Sequence, residues 1–128
     1  MQTKQVIVMR TDTDPPMRKG KMIAQGSHAS MAFLSRRVFD SNGNATSPKF
    51  TEAEYNWFNN SFVKICVRVD SEKELLEIYE KAKEQNLEAH LIQDSAKTEF
   101  KEPTYTCVAI GPDECSKIDA VTSGLKLL

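Results

Sequence analysis

A single α/β domain is predicted, built on a mixed, mostly parallel four-stranded sheet with helices on both faces. Three observations predict it. Strand-like and helix-like segments alternate at βαβ spacing through the first three strands, and the third and fourth strands then follow each other directly. The 128 residues suffice for one core without metal or disulfide staples, and 27% charged residues is ordinary for a globule. No repeat or low-complexity linker divides residues 1–128.

Val6 to Arg10 reads as the first strand because Val6-Ile7-Val8-Met9 is an unbroken apolar run. Thr11 to Arg18 is a loop, since Pro15-Pro16 excludes helix. A helix follows from Lys19 to about Phe39. Ile23, Ala24, Ser27, Met31, Leu34 and Val38 form its mostly apolar stripe, expected to face the core. Lys21, Gln25 and His28 share an arc of about 60° along the edge of that stripe. Gly20 and Gly26 weaken the helix by about 1 kcal/mol each relative to alanine.

Residues 40–60 form a variable loop that ends in a short helix, announced by the capping-box spacing of Thr51 and Glu54. Trp57 and Phe58 are expected to cover the core edge, with base stacking as the alternative. Phe62 to Val69 is the second strand, its alternation placing Val63, Ile65, Val67 and Val69 on one face. Ser71 and Glu74 form a second capping box before a helix that runs to about Gln85, with Asn86 as its stop. Ala89 to Gln93 is a short third strand, and Asp94 to Pro103 a polar connection. Thr106 to Ile110 is the fourth strand, ended by Gly111-Pro112. Pro112 then suits the first turn of a last helix over Asp113 to Thr122. Gly124 breaks that helix, and Leu125 to Leu128 is an apolar tail expected to dock on the domain.

Charge and cysteine usage narrow the function classes. A net charge of -1 does not itself suggest nucleic acid, but residues 1–39 hold seven of the 17 Lys/Arg and only two of the 18 acids. This excess, around the first helix and at Arg36-Arg37, reads as a local basic footprint for a phosphodiester backbone or as a solvated face. No apolar run approaches the roughly 20 residues needed to cross a bilayer, and no secretory signal is evident. Cys66, Cys107 and Cys115 lack zinc-site spacing, and Cys66 and Cys107 lie in strands as small hydrophobes. A reduced, cytoplasmic setting follows, and a zinc site is not expected.

The chemistry-bearing stretch is Lys19-Gly20-Lys21 through Ala29. A strand, a loop and a helix start form an anion-seeking arrangement, because the first helical turn has unpaired N–H groups. Arg18, Lys19 and Lys21 add cations there. Asp94-Ser95-Ala96-Lys97-Thr98 and Thr104-Tyr105-Thr106 supply a carboxylate and hydroxyls after the third strand and at the start of the fourth. Each has a plainer reading: Asp94 as a turn residue, Lys21 as a solvated lysine, Thr98 and Thr106 as turn and strand residues, and His28 as a hydrogen-bonded structural histidine.

In the ordered set Asp12, Lys19-Gly20-Lys21, Ala24-Gln25, Ser27-His28-Ala29, Asp94, Thr98, Thr106, Ile110-Gly111-Pro112, Ile118-Asp119 and Leu125-Lys126-Leu127, the chain resembles the type 2 peptidyl-tRNA hydrolases of archaea and eukaryotes. The resemblance covers nearly the whole chain outside residues 40–60. It implies a cytoplasmic, metal-free enzyme that cleaves the ester joining a peptide to the terminal ribose of tRNA, and it suggests a homodimer. It puts Lys21, Asp94, Thr98 and Thr106 at the catalytic centre, with Gln25 and His28 close by; these two and the basic residues Arg18, Lys19 and Lys97 are the candidate substrate-binding residues. Ester cleavage needs an oriented water, a proton acceptor and donors toward an oxyanion, and these residue types can supply them. Departures from the family pattern are Arg18 and Gly26, where glycine and cysteine are usual, Ser95-Ala96-Lys97 for Ala-Gly-Arg, and Ser123-Gly124 for Gly-His. The alternative is a non-catalytic RNA-binding module on the same fold.

Overall fold

The protein, described over residues 1–96 and 99–128 in a computed structural model, is organised around its first strand. β1 (Thr3–Arg10) is buried over most of its length. After it come α1 (Lys19–Val38), α2 (Glu52–Asn56), β2 (Lys64–Val69), α3 (Glu72–Glu84), β3 (Ala89–Asp94), β4 (Thr104–Glu114), α4 (Cys115–Thr122) and β5 (Lys126–Leu127). The strands lie in one sheet in the order β3-β4-β1-β2-β5.

The α/β class and the helices on both faces are as predicted; the sheet itself differs. It has five strands, and among the described pairings only β1–β2 is parallel. The crossover through α1 makes that one parallel pair. β3 and β4 form a hairpin, and β4 inserts beside β1, with Val6 opposite Ile110 and Val8 opposite Val108. The tail then adds β5 to the outer edge of β2.

Alternate residues of β1 feed two cores, as the period of two requires. Val6 and Val8 pack with Val67, Val69, Leu75, Val108 and Ile118 beneath α3 and α4. Ile7 and Met9 pack with Ala29, Ala32, Cys107 and Ala109 beneath α1. α1 buries Gln25, Gly26, Ala29, Ala32 and Phe33. The stripe expected to be buried faces outward instead, with Ile23 70% and Met31 62% exposed. Small residues explain the rotation: a Cβ on Gly26 would lie 3.6 Å from the Met9 methyl, so the helix seats closely on its Gly/Ala side.

Thr51 closes the predicted capping box with Glu54 at the start of α2. α2 continues into a π-helical turn, Trp57–Ser61, which ends at Phe62 in the left-handed region, φ 52°. Trp57 is core, its indole N–H donating to the Val63 carbonyl at 2.8 Å, which removes it from base stacking. β2 accordingly starts at Lys64, later than predicted. It buries Val67 and Val69, while Val63 is exposed. At α3 only the Ser71 half of its box forms, accepting from Glu74 N, and Asn86 stops the helix at φ 59°.

Two further expectations are corrected at the C-terminal side. β4 does not end at Gly111-Pro112 but runs through both to Glu114, and the last helix starts only at Cys115. Gly111 permits this, at φ +89°, where a Cβ would lie 2.9 Å from the Lys4 carbonyl and 2.7 Å from the Ile118 side chain. The tail docks through the β5 backbone and the Leu125 side chain, which packs against the core, leaving Leu127 72% exposed. Cys107 is buried as expected, and burial pushes its thiol up to about 12; Cys66, by contrast, is exposed. Among the described residues no helix is long and apolar enough to cross a membrane.

Candidate active site

As the crossover between two parallel strands, α1 runs back over the sheet, bringing its first turns to the end where β1 and β3 finish and β4 begins. Lys21, one turn from the helix start, meets Asp94, the last residue of β3. The Lys21 ammonium lies 3.0 and 3.2 Å from the two carboxylate oxygens. Both side chains are largely but not wholly withdrawn from solvent, 13% and 8% exposed. The ammonium also lies 5.3 Å from the centre of the Phe100 ring.

One turn along, Gln25 is buried against β4. The Thr106 hydroxyl donates to Gln25 Oε1 at 2.6 Å, and the Cys107 thiol donates to the Gln25 carbonyl at 3.3 Å. Thr106 is fully buried, so its hydroxyl is occupied by the helix rather than directed to solvent. His28 follows on the same side but is exposed, and it makes no hydrogen bond among the described residues. The expected structural histidine is therefore corrected: the helix places this imidazole on the surface. Lys21, Gln25 and His28 thus form the predicted row, and that row faces β3 and β4.

Arg18 and Lys19 are exposed at the start of α1. Arg18 is the N-cap, and its carbonyl accepts from Met22 N at 3.0 Å. Lys97 and Thr98 lie outside the described residues. The footprint read at Arg36-Arg37 is corrected for Arg37. That guanidinium is held by Glu54 at 2.6 Å and by Glu88, which raise its pKa, the hydrogen bond to Glu54 most strongly. Arg36 stays exposed, with Nη1 3.2 Å from His90 Nδ1 and Nη2 donating to the Leu91 carbonyl at 3.3 Å.

Sequence reasoning missed Arg10. It closes β1 as a buried side chain, forking onto Asp12 at 2.9 and 3.0 Å and donating to the Tyr105 carbonyl at 3.0 Å. It therefore pins the start of β4 one residue before Thr106. An arginine ending an apolar strand, with an aspartate two residues on, was the available signal.

The arrangement offers an ammonium donor, a carboxylate with lone pairs left to hold water, and an amide fixed from behind by a hydroxyl. Residues 3–128 match the family profile described as Peptidyl-tRNA hydrolase PTH2. A protein of Sulfurisphaera tokodaii named peptidyl-tRNA hydrolase is 41% identical over 128 residues, all of both chains. One of the same name from Methanocaldococcus jannaschii is 41% identical over 126 residues, 98% of this chain and 99% of the relative. Another, from Methanothermobacter thermautotrophicus, is 39% identical over 125 residues, 98% of this chain and 99% of the relative.

Proposed function

The chain belongs to the peptidyl-tRNA hydrolase PTH2 family, and from that premise we propose that it hydrolyses peptidyl-tRNA beside Lys21 and Asp94. Water adds to the ester carbonyl carbon, the bond from that carbon to the ribose oxygen breaks, and tRNA and peptide acid are released. The observation that carries the placement is the Lys21–Asp94 pair, formed across 73 residues of sequence at the edge of the surface.

Asp94 orients the attacking water, since each of its oxygens keeps a lone pair beyond the bond from Lys21. Lys21 donates toward the developing oxyanion, where a preplaced cation acts only as charge appears. Gln25 contributes through its side-chain amide, one turn from Lys21. Thr106 serves as a positioning residue that holds Gln25 from behind. By resemblance, the hydroxyl of Thr98 joins this group and His28 lies close by in substrate binding, while the basic residues Arg18, Lys19 and Lys97 are assigned to the tRNA end. An exposed pair of cations at a helix start suits a terminal phosphate.

Substrate and chemistry also point to the cytoplasm, where peptidyl-tRNA arises. A homodimer belongs to the same reading. It is supported by the apolar flank of α1 that faces β2, where exposed Ile23, Cys66 and Leu128 surround a groove of 740 Å³. Light scattering at two concentrations tests it: one monomer mass at both would remove it.

The test of activity is release of free tRNA from N-acetyl-aminoacyl-tRNA by purified protein. The wild type should turn over many times, and the Lys21→Ala/Asp94→Ala double variant should not. Salt-sensitive binding without turnover would instead mark a non-catalytic tRNA-binding module.

A further inference from the structure

We propose that the peptide part of the substrate lies in the groove between α1 and the open edge of β3, with its N-terminal end toward Arg36. The proposal rests on the hydrolase reading and assigns a place to the half of the substrate that the catalytic pair does not touch. The groove has a volume of 700 Å³. Ala24, Ser27, His28 and Met31 of α1 form one wall, Ile92 and Gln93 of β3 form the other, and Arg36 closes the far end.

Continuity with the proposed centre comes first. Ala24 lies one turn beyond Lys21, and Gln93 directly precedes Asp94, so both walls lead away from the catalytic pair. Strand geometry comes second. The Glu88 carbonyl accepts from Gly111 N of β4. By alternation Leu91 therefore turns its N–H and C=O away from β4, toward the unpaired edge of the sheet. Arg36 donating to the Leu91 carbonyl at 3.3 Å agrees with that direction. An extended peptide can bind such an edge through main-chain hydrogen bonds that ignore its sequence.

The lining chooses between peptide and RNA. An RNA strand carries a charge at every nucleotide and calls for several cations along its track. Among the described residues this groove holds one Lys or Arg, Arg36, already engaged with His90 and Leu91. Its other surfaces are small or weakly polar, which suits side chains of any kind. The exposed cations Arg18 and Lys19 lie instead at the start of α1. From Ala24 to Arg36 the helix spans about 18 Å, the reach of about five extended residues.

The experiment measures kcat/KM on tRNAs carrying N-acetylated oligoalanine of one to eight residues. In the wild type kcat/KM should rise about tenfold, the worth of one or two added hydrogen bonds, and level off near five residues. Ser35→Trp, at an exposed lining position of α1, should lose that gain while still cleaving N-acetyl-alanyl-tRNA. Met31→Trp is the second variant, and circular dichroism establishes that each is folded. A wild-type rate independent of length overturns the groove assignment and leaves the hydrolase reading standing. So does a loss equal at every length in both variants, which would place the tRNA strand there. No cleavage of any substrate by the wild type overturns the hydrolase reading, and the groove assignment with it.

Discussion

The ammonium of Lys21 and the carboxylate of Asp94 lie 3.0 Å apart, joining the start of the first helix to the end of the third strand. In so sheltered a pair, stability and chemistry can be separated. Lys21→Ala and Asp94→Ala should each lower kcat/KM on N-acetyl-aminoacyl-tRNA by about a hundredfold or more. Each should also cost about 3 kcal/mol of stability, because one charge keeps its burial and loses its partner. The Lys21→Met/Asp94→Leu double variant should regain most of the stability in urea unfolding and none of the rate. Recovery of rate in that variant would remove both side chains from the chemistry.

Thr106 is predicted to act through Gln25. Thr106→Val leaves the side-chain amide oxygen of Gln25, Oε1, without its donor in the interior, a loss of about 1 to 3 kcal/mol. It should lower kcat with little change in KM. Thr106→Ser, which keeps the donor, should restore kcat. If valine and serine variants had the same kcat, the hydroxyl would have no positioning role.

Gly111→Ala tests the fold apart from the site. The new methyl would meet the Lys4 carbonyl and Ile118 at φ +89°. Unfolding should become easier by about 2 kcal/mol, summing left-handed strain and overpacking. Activity at a temperature where the variant is folded should stay near wild type. A variant as stable as wild type would mean that β4 does not need glycine there.

The acid side of the stability profile should report on Glu88. The hydrogen bond to His90 and then the one to Arg37 hold its carboxyl below its ordinary 4.5, against the opposing effect of burial. A carboxyl depressed in the folded state adds stability above about pH 4.5, and that contribution is lost as pH falls through the lower folded value. Glu88→Gln should therefore lose less melting temperature between pH 6 and pH 3 than wild type does. Parallel acid limbs for the two proteins would show that the carboxyl is not linked to folding.

Thiol labelling distinguishes the two strand cysteines. Cys66 is exposed, whereas Cys107 is buried with its thiol pushed up to about 12. Iodoacetamide at neutral pH should modify Cys66 in the folded protein at concentrations where it is monomeric, and reach Cys107 only after unfolding. Native labelling of Cys107 at a comparable rate would mean that the α1–β4 contact opens readily.

What was legible in the sequence was what depends on neighbours along the chain. The bounds of α1, the Thr51 capping box and the Asn86 stop all follow from local backbone preference, and each is where the residues said. The row Lys21, Gln25, His28 was legible because helical spacing fixes it. What was not legible depends on distant partners. Side-chain size suggested that Ile23 and Met31 face inward, but a helix settling closely on Ile7 and Met9 prefers Gly26, Ala29 and Ala32 there. Gly111-Pro112 has the local chemistry of a stop. It continues a strand because the Lys4 carbonyl and Ile118 crowd the space where a Cβ would sit. The sheet's antiparallel character came from β4 choosing β1 as its neighbour. The bonds from Thr106 to Gln25 and from Arg10 to Tyr105 depend on that same choice.

The central position of β1 bears on how the chain is made. β1 leaves the ribosome before both of its neighbours in the finished sheet, β2 and the still later β4. Until β4 has been synthesised, one side of β1 has no ladder partner, and the apolar residues Val6 to Met9 have neither core complete. Helical segments can form early, but the sheet closes late, through loops spanning most of the polypeptide, a topology that slows folding. The newborn polypeptide thus carries its most apolar strand half-paired until nearly all of the later elements have been made.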